Sequence, residues 1–134
     1  MASLEAKRSA FPESCWVAVD NDCVVGYLIS VPWLLGQIPS LNDSSCQIPQ
    51  GADCLYLHDM AISSAMAGKG VGQLLFASYR AKSQALGFKR LVLTAVGDAE
   101  GYWKKLGFVV QPLQISQSKV TEYGGRVTYM YQDC

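Results

Sequence analysis

Gly68, Lys69, Gly70 and Gly72 lie between an apolar run rich in β-formers and an amphipathic run of helical period. That order can hold an anion. Glycine lets the backbone take left-handed angles and approach a ligand closely. The first turn of the helix that follows leaves N–H groups unpaired and pointing outward. Lys69 adds a mobile positive charge, so a phosphate-bearing ligand is implied. The spacing also excludes two nucleotide sites. No Ser or Thr follows Lys69, as G-x-x-x-x-G-K-[ST] requires. Gly68-x-Gly70-x-Gly72 does not meet the dinucleotide fingerprint G-x-G-x-x-G. Without a ligand, the same glycines would simply make a tight strand-to-helix turn.

The elements that must position these glycines can be read from period and punctuation. Residues 54–62 form a strand buried on both faces, with Cys54, Tyr56, His58, Met60 and Ile62 on one side and Leu55, Leu57, Asp59 and Ala61 on the other. A helix from Val71 to Gly87 has Val71, Leu74, Leu75, Ser78, Tyr79, Ala85 and Leu86 along its apolar stripe. Residues 90–96 give a further buried strand. Asp98 then caps a short helix with Ala99, Tyr102, Trp103 and Leu106 at apolar spacing, stopped by Gly107. Upstream, 15–20 and 23–31 form a hairpin through Asn21-Asp22, with Pro32 closing the second strand. Residues 34–53 form a long loop, and 108–111 pairs with 127–132 beyond the turn-prone Gly124-Gly125. The fold class is α+β, with a mixed, mostly antiparallel sheet and one crossover helix.

At 134 residues with 50% apolar content, the chain forms one domain over 1–134 with a real core. Eleven basic and eleven acidic residues cancel. No basic stripe is present, so nucleic acid is not an expected partner. The start lacks a signal-peptide core, and no apolar run approaches the ~20 residues that span a bilayer. The odd count of five cysteines, with no Cys-x-x-Cys pair, argues against a disulfide framework or a zinc ribbon. A cytoplasmic protein with reduced cysteines and no metal is expected.

Ala67-Gly68-Lys69-Gly70-Val71-Gly72 resembles motif A of the GNAT-type N-acetyltransferase superfamily, a central strand and bulge followed by Arg/Gln-x-x-Gly-x-Gly/Ala at a helix start. Tyr102-Trp103-Lys104-Lys105-Leu106-Gly107-Phe108 is similar to the family's aromatic–Tyr-x-Lys-x-Gly-Phe segment. The resemblance covers roughly 15–131 and implies the acyl-CoA N-acyltransferase fold, with acetyl-CoA as donor. It implies that the amides of Gly68, Lys69, Gly70, Val71, Gly72 and Gln73 hold the diphosphate. The backbone of Met60, Ala61 and Ile62 would pair with pantetheine, leaving the thioester between splayed strands. Ala67 departs from the family's Arg or Gln, which weakens donor binding, with Lys69 compensating in part. Trp103 takes the family's tyrosine position beside the donor and has no readily transferred proton.

Acyl transfer to an amine also needs a base, an oxyanion donor and an acid for the thiolate. His58, the one histidine, matches a histidine in some arylalkylamine acetyltransferases that is thought to help remove the amine proton. Tyr56 would complete a water-linked relay, and a backbone N–H near Met60 or Ala61 would face the oxyanion. Tyr102 is the candidate acid. Asp59 reads as structural. The acceptor is expected to be an amine-bearing small molecule or peptide, acetylated without a covalent enzyme intermediate. The family's N-terminal strand and helices are missing or shortened here. Either the chain is truncated, or another chain, as in a homodimer, or the 34–53 loop would fill the gap, with Trp16, Trp33 and Leu34-Leu35 available to line it. The rival reading is a non-catalytic acyl-CoA-binding or interaction module of the same fold.

Overall fold

The computed structural model describes residues 8–39, 47–112 and 115–134. Its six-stranded sheet has strands β1 (Cys15–Asp20), β2 (Cys23–Trp33), β3 (Cys54–Ile62), β4 (Arg90–Val96), β5 (Val109–Val110) and β6 (Val127–Asp133), in the spatial order β1-β2-β3-β4-β6-β5. Helix α1 (Val71–Ala85) carries the chain from β3 to its parallel neighbour β4, and every other pairing is antiparallel. Two short helices follow, α2 (Glu100–Lys105) and α3 (Gln117–Glu122). Residues 8–10 are helical, and a 3-10 turn at Pro12–Ser14 leads directly into β1. Residues 1–7 and the middle of the 34–53 loop lie outside the described residues, as does Cys46. The four described cysteines are free thiols.

One face of the sheet carries the main core. Leu28, Leu55, Leu57, Leu91, Leu93 and Met130 pack there against Val71, Leu75, Phe76 and Tyr79 of α1, with Trp16 at the margin. Apolar burial of this kind is worth roughly 1.5–3 kcal/mol per large side chain. The buried stripe of α1 is rotated from the expected one. Gly72, Phe76 and Ser83 are inside, while Leu74 is 70% exposed. Lys82 sits at the edge of the buried stripe and pairs with Glu13 at 3.8 Å. On the opposite face Val31, Cys54, Tyr56, Val92 and Tyr129 form a second cluster, joined by Trp33 and Ile38.

The hairpin turn is as expected, with Asn21 at φ 51° and Asp22 at φ 64°. Pro32 does not close β2, which runs on to Trp33 and pairs Pro32 with Leu55. The Trp33 carbonyl accepts from Asp53 N–H on the β3 side at 2.9 Å, so the nitrogen of Pro32 faces the other way. There β1 has already ended, and a missing N–H breaks no ladder bond. Helix α2 starts one residue later than expected. Its N-cap is Ala99, without a side-chain bond, so Asp98 does not cap it. Helix α3 was not anticipated; its N-cap Ser116 accepts from Lys119 N–H at 3.3 Å.

Candidate acyl-CoA site

The site begins with one extra residue in β3. In the β2–β3 ladder Ile29 opposes Asp59 and Ser30 opposes Leu57, leaving His58 as a bulge. A bulge bends its strand and resets the alternation of side chains. Leu57 packs toward α1, and so do Met60 and Ile62. The expected single face of Tyr56, His58, Met60 and Ile62 is therefore split. Tyr56 and His58 remain together, ring centroids 6.2 Å apart, on the face away from α1. Asp59 joins that face instead of opposing it, and accepts a 2.7 Å hydrogen bond from the Tyr27 hydroxyl. Strict period-2 reading could not find this, because nothing in the residue types marks the bulge.

The same bend opens the sheet. β3 and β4 pair only at Leu55–Leu91, Tyr56–Val92 and Leu57–Leu93. Beyond Leu57, β3 keeps a partner on the β2 side alone, while β4 continues with β6 as far as Val96–Val127. The backbone polar groups of Met60–Ile62 that face the departed β4 are thus available to an extended ligand. At the closed end of the fork, the Tyr79 hydroxyl donates to the Leu55 carbonyl at 2.6 Å, tying α1 to β3.

At the open end, β3 runs into the glycine turn. Ala67 closes a 3-10 turn over Ser64–Met66, its N–H donating to the Ser64 carbonyl at 3.2 Å. Gly68 and Gly70 then adopt φ 76° and 82°, angles that side-chain-bearing residues avoid. Gly70 is the N-cap of α1 and no side chain caps the helix, so its first-turn N–H groups face outward. Gly72 is needed for a different reason: a Cβ there would lie 2.8 Å from both Ile62 Cδ1 and the Tyr102 hydroxyl. Overpacking of that sort costs about 1–3 kcal/mol.

These elements border a cavity of about 490 Å³. Ile62, Ala67, Gly68, Gly70, Val71, Gly72 and Gln73 line it, and so does Tyr102. Ser63, Ser64, Met66, Lys105 and Leu106 also line it and had not been singled out. Lys105 could have been, since it is the lysine of the segment that begins at Tyr102. Lys69 is exposed and outside the lining, its N–H bonded to the Met66 carbonyl at 3.1 Å. Trp103 turns inward rather than into the cavity, stacking edge-on against Phe108 with centroids 5.8 Å apart. Tyr102, 45% exposed, reaches across from α2 to the first turn of α1. Burial raises its phenol pKa, so it stays protonated at neutral pH.

A match to the family model of the acetyltransferase (GNAT) family spans residues 2–108, most of the chain. The chain belongs to the GNAT family. Solved structures with the same fold include Ard1 from Thermoplasma volcanium, at 17% identity and TM-score 0.67, covering 94% of this chain and 74% of that one. N-acetylglutamate synthase from Neisseria gonorrhoeae, complexed with coenzyme A and N-acetyl-glutamate, matches at 15% identity and TM-score 0.68, over 96% of this chain and 27% of that one. The NatC complex bound to Gag peptide and CoA matches at 15% identity and TM-score 0.66, over 97% and 77%. No curated protein matched the sequence. Membership of the GNAT family supports acyl transfer and acyl-CoA binding for this chain. Among the described residues, no helix is long and apolar enough to cross a membrane.

The face of the GNAT sheet that carries His58 is organised by tyrosines. The Tyr56 hydroxyl donates to Thr94 Oγ1 at 2.7 Å and lies 3.4 Å from that of Tyr123. Tyr123 donates in turn to the Pro39 carbonyl at 2.7 Å, and Tyr129 accepts from Gly36 N–H at 2.9 Å. Burial holds the Tyr56 phenol well above its usual range, so at neutral pH it is a hydroxyl donor and not a base.

Proposed function

We propose that this chain transfers the acetyl group of acetyl-CoA directly to a primary amine of a small molecule or peptide. The observation that carries the reading is the parting of β3 from β4 after Leu57–Leu93, in line with the glycine turn that opens α1. The amides of Gly68 and of Gly70–Gln73 bind the diphosphate, the Lys69 N–H being held instead by the Met66 carbonyl, and the free edge of β3 at Met60–Ile62 pairs with pantetheine. The thioester then lies in the fork. His58, bulged out at its apex, takes the proton of the attacking amine. Tyr56, fixed by Thr94 and Tyr123, holds the water that links His58 to the acceptor. An N–H of Met60 or Ala61 stabilises the oxyanion. Tyr102, the phenol on the cavity wall, returns a proton to the departing thiolate.

Two neighbours of this fold support the acceptor class: one is complexed with N-acetyl-glutamate, the N-acetylated form of an amino acid, and another is bound to a peptide. The test is thiol release from acetyl-CoA across a panel of small amines, amino acids, polyamines and peptides. At least one amine is expected to raise release above hydrolysis. His58→Ala is expected to lower kcat about 100-fold or more while leaving CoA affinity unchanged. CoA binding without release on any amine would instead favour a non-catalytic acyl-CoA-binding module, the reading favoured by Trp103 lying in the core.

A further inference from the structure

We propose that Lys105 supplies the positive charge for the acyl-CoA diphosphate, across the cavity from the position where the chain carries Ala67. The inference rests on the donor site described above and deepens it. Ala67 and Lys105 border the same cavity of about 490 Å³, Ala67 from the glycine turn and Lys105 from the end of α2. Among the described residues, Lys105 is the one charged residue in that lining. The two other lysines nearby are placed elsewhere. Lys69 is exposed and outside the lining. Lys104, about 100° around the helix from Lys105, is bound to Glu100 with Nζ 2.7 Å from Oε2. Among the described residues no carboxylate pairs with Lys105, so its ammonium is not committed to another partner.

A diphosphate on the α1 amides would meet hydrogen-bond donors on one side and only a methyl group at Ala67. A lysine facing it from α2 completes the charge balance without an arginine in the glycine turn. It also makes α2 part of the donor site in its own right, through a different residue from Trp103, which packs against the core.

The experiment is calorimetric titration of the full chain with CoA and with dephospho-CoA, at low and high salt. Lys105→Ala is expected to weaken both ligands about tenfold, the size of a lost charge-assisted hydrogen bond. The deficit should shrink as salt screens the pair. Lys104→Ala should leave both affinities unchanged, and adding Ala67→Arg to Lys105→Ala should restore them. Wild-type affinity in Lys105→Ala would overturn the proposal, as would a deficit seen for CoA but not dephospho-CoA, which would move the lysine to the 3′-phosphate. A wild-type chain that binds neither ligand would overturn the donor-site reading beneath it. Equal melting temperatures for wild type and Lys105→Ala separate these outcomes from misfolding.

Discussion

His58 stands at the apex of the fork because the β2–β3 ladder skips it, and Tyr102 reaches the donor cavity because Gly72 leaves room for its hydroxyl. The two come from different elements, His58 from β3 and Tyr102 from α2. His58 shares a face with Tyr56 and with the Tyr27–Asp59 hydrogen bond, whereas Tyr102 touches the Ile62 end beside the first turn of α1. A thiol of pKa ~8.5 departs tolerably without help near neutrality. Tyr102→Phe is therefore a sharp test: a loss of tenfold or more in kcat with unchanged CoA affinity is expected if the phenol protonates the thiolate. A smaller loss would leave Tyr102 a wall of the cavity. The residue types of both groups were legible in the sequence. Their neighbours were not, since the bulge moves Asp59 across the strand and the turn of α2 sends Trp103 to the core.

At the scale of elements, glycines and turn residues were the reliable signals. Gly68, Gly70, Gly87 and Asn21-Asp22 each mark a boundary that the chain observes, because each holds backbone angles that other residues resist. Side-chain faces were less legible. Leu74 fits a helical stripe by spacing yet is exposed, because α1 is seated through Gly72, Phe76 and Tyr79 against the sheet. Helix α3 has six residues and no buried one, so no apolar period announced it. The hairpin offers a prediction of its own. Asn21 and Asp22 both hold positive φ, the requirement of a two-residue turn that favours glycine second. Asp22→Gly should raise stability by about 0.5–1 kcal/mol, seen as a higher urea midpoint at unchanged slope. An unchanged or lower midpoint would show that the turn is not strained.

The whole molecule is a sheet with one apolar face under α1 and one hydroxyl-rich face tied by tyrosines. That second face sets the response to alkali. Burial pushes Tyr123 and Tyr129 up to about 12, and burial together with the Asp59 carboxylate does the same for Tyr27. Burial also takes the Cys54 thiol up to about 12. A folded pKa above the unfolded one means that the native state keeps its proton longer, so this stability is present below about pH 9 for the thiol and about pH 10 for the phenols, and is lost as pH climbs toward 12. The urea midpoint should fall across that window, and less steeply in Tyr123→Phe. A midpoint independent of pH there would contradict the buried network.

The order of strands around the crossover helix and the place of the glycine turn followed from period and punctuation, while the path by which an acceptor reaches His58 did not. That path depends on a bulge and on tyrosines separated in sequence by dozens of residues. The structure of the chain with acetyl-CoA bound tests the account most directly. It should place the diphosphate on the amides of Gly68 and Gly70–Gln73, pantetheine along Met60–Ile62, and the sulfur in the β3–β4 fork on the side of His58. A donor bound elsewhere, or a sulfur directed out of the fork, would contradict it.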